Sequence, residues 1–99
     1  MFKGLFKRRR AEWRRNFDIG TSAREAGGDE LRVRIISLSA RGFRLRGSAH
    51  LQEGAQLAIM LPGYGEVFGR VVWVAGDECG GILQEPIPID KIELTESAA

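Results

Sequence analysis

Short runs of alternating apolar and polar residues, each closed by a glycine-rich turn signal after about ten residues, constrain this chain more than any other feature. Phe17, Ile19, Thr21 and Ala23 alternate with Asp18, Gly20, Ser22 and Arg24, which predicts a first strand from about Asn16 to Arg24. Gly27-Gly28-Asp29 should reverse it. Leu31, Val33 and Ile35 then alternate with Arg32, Arg34 and Ile36 as a second strand, and Phe43 to Arg46 forms a third, ended by Gly47-Ser48. After the turn at Glu53-Gly54 comes Gln56 to Leu61, with Leu57, Ile59 and Leu61 on one face. Pro62 to Gly65 turns the chain into Glu66 to Ala75, expected to be the longest strand and to bulge at Gly69. Asp77 to Gly81 should turn back into a sixth strand, Gly81 to Gln84, and Ile87 to Leu94 has room for one closing turn of helix.

Six short strands without a long helical period predict an all-β fold, a small six-stranded antiparallel barrel. Ninety-nine residues make one small domain, which buries roughly 60–65% of the surface of its unfolded chain. A ligand site on it is therefore expected as a surface groove. Val71, Trp73, Leu57 and Ile59 are assigned to the core. Thirteen glycines against three prolines agree with many tight turns. The expected organisation is a basic N-terminal arm over residues 1–15, the barrel over 16–94 and a tail over 95–99.

Charge is unevenly spread. Residues 1–15 hold seven Lys/Arg against Glu12, a local charge of +6, so a total of +2 leaves −4 for the remainder. A basic arm on an acidic body suggests that the arm meets an anion; the plain alternative is a solvated tail. Phe2, Leu5 and Phe6 share one face of a short helical pattern, too short for stable membrane insertion, and fit better as a docking face. No apolar run approaches the roughly 20 residues that span a bilayer, and a signal peptide is not indicated, so the chain reads as cytoplasmic.

Catalytic and metal-binding readings find little support. His50 has no Cys or second His at ligand spacing, and Cys79 is alone, so no metal site and no internal disulfide are expected. Ser48 near His50 is not a catalytic constellation. Gly63-Tyr64-Gly65 lacks the strand–helix setting of a phosphate loop. Enzyme activity and cofactors are not expected.

Two segments do point to a ligand. Arg10 and Arg14, four residues apart within Arg8-Arg9-Arg10-Ala11-Glu12-Trp13-Arg14-Arg15, can supply bidentate hydrogen bonds to phosphate or a guanine edge. Ser37-Leu38-Ser39-Ala40-Arg41-Gly42 reads as a small polar loop, with Ser39 offering a hydroxyl and Gly42 letting the backbone turn and approach closely. Arg44 and Arg46 share a strand face and either extend the anion site or are solvated.

The arrangement R-x-x-x-R followed by [D/N]-x-S-x-x-G resembles the PilZ family, bacterial receptor modules for the second messenger cyclic di-GMP. Arg10 and Arg14 match the first element, and Ser39 and Gly42 match the end of the second; Ser37 stands where the family has Asp or Asn. Weaker likeness continues through Leu51 to Gly54, Leu61-Pro62-Gly63, Gly69 to Trp73 and Gly81-Ile82-Leu83, so that it spans residues 8 to 90. The resemblance implies a Greek-key-like strand order. It also implies cyclic di-GMP binding by Arg10, Arg14, Ser37, Ser39 and Gly42, with Arg9, Trp13, Arg15 and Arg41 as auxiliary contacts. A small receptor or adaptor would then change surface on binding and act on a downstream protein. The alternative is a degenerate PilZ-like interaction module with little nucleotide affinity. A third reading, a barrel for RNA or single-stranded DNA, lacks a platform of exposed aromatics, and no DNA or RNA partner is expected.

Overall fold

A computed structural model of the protein describes residues 14–47 and 51–95. Six strands, β1 (Arg14–Glu25), β2 (Glu30–Ser39), β3 (Gly42–Arg46), β4 (Gln56–Leu61), β5 (Gly65–Ala75) and β6 (Glu78–Leu83), close into an antiparallel barrel. Their order around it is β1-β2-β3-β6-β5-β4. Two three-stranded meanders, β1–β2–β3 and β4–β5–β6, are thus joined along two seams, β3 with β6 and β1 with β4. The chain passes from β3 of one meander to β4 of the other, strands that are not neighbours in the barrel, which is the Greek-key-like order expected.

The period-two patterns hold where the strands are regular. Ile19, Thr21 and Ala23 of β1, Val33 and Ile35 of β2, and Leu57, Ile59 and Leu61 of β4 all point inward and are buried. With Leu38, Leu45, Val71 and the buried Cys79 they fill the barrel. Burying each Leu or Ile contributes roughly 1.5–3 kcal/mol, so the interior, rather than the exposed ion pairs, carries the stability.

The segment after β6 forms no helix. It runs as an irregular strap with a single turn, closed where Lys91 N–H donates to the Pro88 carbonyl at 2.8 Å. Ile87, Ile89 and Ile92 on this strap are buried and join the core. Hydrogen bonds fix it at both ends, from Ile87 N–H to the Ala40 carbonyl at 2.8 Å and from Thr95 N–H to the Pro62 carbonyl at 2.9 Å. Of the short C-terminal turn or helix expected here, the turn is what forms.

Several boundaries differ from expectation, and each difference has a local cause. β1 starts at Arg14 rather than Asn16, because Arg14, Arg15 and Asn16 pair with Ser39, Leu38 and Ser37 of β2. With 12 residues it is longer than β5, which has 11. β6 begins at Glu78 instead of Gly81, since Gly76, at a φ of 61°, lets Gly76-Asp77 complete the reversal. Gly69 is not a bulge. It pairs in register with Leu57 and Leu83, and its missing side chain leaves room for the Phe43 ring, 2.8 Å from where a Cβ would sit.

The bulge in β5 lies instead at Val72, between the pairs Val71–Gly81 and Trp73–Gly80. One extra residue reverses the parity of all that follows. Trp73, assigned to the core, is consequently turned outward and is 39% exposed. The stretch Ser37–Gly42 is also not a loop. Ser37, Leu38 and Ser39 complete β2, only Ala40-Arg41 turn, and Gly42 opens β3.

Candidate ligand cleft

Bulges on neighbouring strands shape the wall on which the expected binding residues fall. The β1–β2 register shifts between Asn16 and Ile19, and the β2–β3 register shifts between Ile35 and Ser37. Ile36 sits at both irregularities. Beyond it, Ser37 lies in register with Asn16 on one side and Arg44 on the other, while Leu38 faces Phe43 in the core. The two serines therefore project to the outer wall at the mouth of the β2–β3 hairpin. Ser37 is only 2% exposed there, beneath Arg14, whose Nη1 donates to its Oγ at 3.2 Å.

Gly42 serves close approach rather than turning, since its φ is not in the left-handed region. A Cβ there would stand 3.1 Å from Ser39 Oγ and 3.2 Å from the Gly81 carbonyl. Next along the wall, Gly80 leaves space that the Trp73 indole occupies, with its Nε1 edge lying over the glycine. The result is a cleft of about 240 Å³ lined by Arg14, Gly42, Phe43, Arg44, Val72, Trp73, Gly81 and Ile82. Its floor is low because glycines line it; its walls are a guanidinium on one side and an indole on the other. Such a slot suits a flat, anionic molecule, which can stack on the ring and accept hydrogen bonds from Arg14.

Arg44 enters the cleft already tethered. Its Nε and Nη2 donate to Glu78 Oε1 at 2.8 and 2.7 Å, and Arg46 donates to Glu78 Oε2 at 3.1 and 3.2 Å. Hydrogen bonds from Arg44, then from Arg46, hold the Glu78 carboxyl below the usual glutamate range. A second bridge, Arg34 Nε to Asp18 Oδ1 at 2.6 Å, lowers Asp18 in the same way. Glu78 belongs to β6 and its arginines to β3, so this bridge spans a seam between the meanders.

The expected site residues separate into three groups. Arg14 and Gly42 line the cleft, with Ser37 and Ser39 packed directly behind them. Arg15 is engaged elsewhere: Nη1 donates to the carbonyls of Ile89 and Ile92 at 2.9 and 2.7 Å, and its guanidinium lies 5.2 Å from the centre of the Phe17 ring. Arg41 is exposed in the hairpin turn, where its carbonyl accepts from Leu83 N–H at 2.7 Å. Arg9, Arg10 and Trp13 lie outside the described residues, as does His50. Sequence reasoning missed Trp73, Val72 and Ile82 as cleft walls. The run Val71-Val72-Trp73 held the signal, because three successive apolar residues cannot all face inward at a period of two.

Fold and cleft together define a small antiparallel barrel that presents an arginine-flanked, glycine-floored slot on its outer wall, a ligand-binding module in form. The chain belongs to the PilZ domain family, whose family model matches residues 8–96. This is a family of binding and adaptor domains, known for binding cyclic di-GMP. No individually curated protein matches the chain. Among the described residues, no helix is long and apolar enough to cross a membrane, and no group of three or more His, Cys, Asp or Glu is placed to hold a metal ion.

Proposed function

We propose that the protein binds cyclic di-GMP in this cleft and acts as a small cytoplasmic receptor or adaptor, performing no chemistry on the nucleotide. The observation that carries the reading is the juxtaposition of Arg14 and Gly42 in one slot, with Ser37 and Ser39 behind them and Trp73 opposite. Arg14 donates to a phosphate or guanine edge, and the glycine floor admits the ring. Arg10, from the segment preceding β1, supplies a second guanidinium, with Arg9 adjacent. Ligand binding converts an open slot into a covered surface that a partner protein can distinguish.

Ser37 sets the strength. It gives Arg14 a neutral acceptor where a carboxylate would give a charged one, and losing a charge-assisted contact costs about 1.5–3 kcal/mol, roughly ten- to a hundredfold in affinity. Binding is therefore expected at micromolar concentration or weaker. The same feature favours the alternative reading, an interaction module with negligible nucleotide affinity.

Calorimetric titration with cyclic di-GMP, with GTP and a short oligonucleotide as controls, separates the two. We expect saturable binding of cyclic di-GMP alone, lost in Arg10→Ala and Arg14→Ala and tightened in Ser37→Asp. Because two phosphates are engaged, affinity should depend on salt far less than for a protein that tracks a nucleic-acid backbone. No heat with the wild type, and none with Ser37→Asp, would leave the interaction module standing alone.

A further inference from the structure

The outer wall of β5 and β6 has a different character from the slot it adjoins. Phe68, Val72, Trp73 and Ile82 are 50%, 45%, 39% and 48% exposed. Single exposed apolar residues are ordinary; these are neighbours. Arg70 pairs with Ile82 on one side and Gln56 on the other, and Phe68 lies next along β5, paired with Ala58. Between the rows Arg24–Ala58–Phe68 and Gln56–Arg70–Ile82, the small Ala58 leaves a groove of about 530 Å³, and Gln84 completes its polar rim. The apolar surface continues past the groove to Val72 and Trp73, so Ile82 borders both the groove and the ligand cleft.

Charge decides what fits this surface. Glu78 is occupied by Arg44 and Arg46, and Asp18 by Arg34, while Glu66 approaches Arg24 at 3.7 Å. Glu25 also lines the groove, but Arg70, in the middle of the apolar patch, forms no ion pair with it or with any other carboxylate among the described residues. The chain's own N-terminal segment, at +6 over residues 1–15, would set like charge against Arg70 and Arg24, and is a poor occupant. A small molecule would use the groove but leave the apolar continuation bare, whereas such ligands usually bury most of their surface in one concavity. A longer partner with apolar and acidic side chains meets both requirements.

We propose that this face docks an acidic amphipathic segment of a partner protein, its apolar side chains seated on Phe68 and Ile82 and a carboxylate on Arg70. Phe68 and Arg70 lie outside the ligand cleft, so substitutions there test this proposal separately from cyclic di-GMP binding, while Ile82 borders both sites.

A fluorescein-labelled synthetic helix with Leu on one face and Glu on the other, and its counterpart with Lys in place of Glu, test it by anisotropy against the full chain. The Glu peptide should bind and the Lys peptide should not. Arg70→Glu should weaken the Glu peptide about tenfold and transfer preference to the Lys peptide. Phe68→Ser should weaken the Glu peptide by a similar factor. Both substitutions are at exposed positions, and an unchanged thermal midpoint verifies the fold. Absence of binding, equal binding of both peptides, or indifference to Arg70→Glu would overturn the proposal. So would sedimentation showing a dimer that Phe68→Ser dissolves, because the occupant would then be a second copy.

Discussion

The two meanders share a topology but treat their outer faces in opposite ways. On β1–β2–β3, arginines at 14, 34, 44 and 46 are each held by an acceptor within the protein, Ser37, Asp18 or Glu78. On β4–β5–β6, the outer face carries an apolar patch in which Arg70 stands beside Phe68, Ile82 and Val72. Exposed ion pairs of the first kind contribute about 0–1 kcal/mol each, so their value lies in placement. Of these four arginines, Arg14 and Arg44 line the slot, each tethered by a hydrogen bond within the protein. The second face offers exposed apolar area instead. The slot lies where the two meet, lined by β1 and β3 on one side and by β5 and β6 on the other.

Gly81 should give the largest effect, because it is pressed from β5 on one side and by the Phe43 ring of β3 on the other. A Cβ at Gly81 would run into the Arg70 carbonyl and stand 2.6 Å from Phe43 Cζ. Gly81→Val should therefore destabilise the barrel by about 3 kcal/mol, read as a lowered urea midpoint. Gly54, with a φ of 92° and nothing within 4 Å of an added Cβ, provides the control. Gly54→Ala should cost only the backbone strain, about 1–2 kcal/mol. If the two substitutions cost the same, the packing around Gly81 is looser than its geometry implies.

Adjacent arginines sharpen the comparison further. Arg15→Ala leaves the Ile89 and Ile92 carbonyls without their guanidinium donor and loosens the C-terminal strap, an expected loss of about 1–2 kcal/mol. Arg14→Ala removes one bond to a serine hydroxyl and should change stability by less than about 0.5 kcal/mol, yet on our functional reading abolish nucleotide binding. Denaturation and calorimetry on both variants should thus give opposite rankings. Matching rankings would mean that the two side chains do the same job.

How much of this was legible in the sequence follows from what the signals measure. Alternation of apolar residues identifies strands wherever pairing is regular, and the six strands and their inward residues Leu57, Ile59 and Leu61 follow from it. It says nothing about bulges, which depend on a partner strand's register. The extra residue at Val72 turned Trp73 outward, and the irregularities at Ile36 kept Ser37 and Ser39 in a strand although their composition suggests a loop. The cleft was half legible for the same reason. Its polar members belong to short motifs, whereas Trp73 and Ile82 reach it only through cross-strand geometry. The role of Arg15 was hidden too, since its acceptors lie more than 70 residues away in the chain.

The smallest expected effect concerns Glu78, where the two meanders meet through charge. Its carboxyl is held below an ordinary glutamate's 4.5, and Asp18 below an ordinary aspartate's 3.8. A carboxylate whose pKa is depressed by folding contributes stability above its unfolded pKa and loses it as pH falls through the folded value. Stability should accordingly be flat near neutrality and decline as the pH drops below about 4.5, a fall to which Glu78 contributes first and Asp18 at lower pH. Glu78→Gln should remove the upper part of that decline in urea titrations and leave the part due to Asp18. It should also lift the charge that now neutralises Arg44 and Arg46, making Arg44 a stronger attractor at the edge of the slot. A gain of a few-fold in cyclic di-GMP affinity is then expected, in keeping with an exposed ion pair. If affinity falls instead, Glu78 acts by orienting Arg44 toward the ligand, and the arginines of the first meander depend on the second for their geometry as well as for their charge balance.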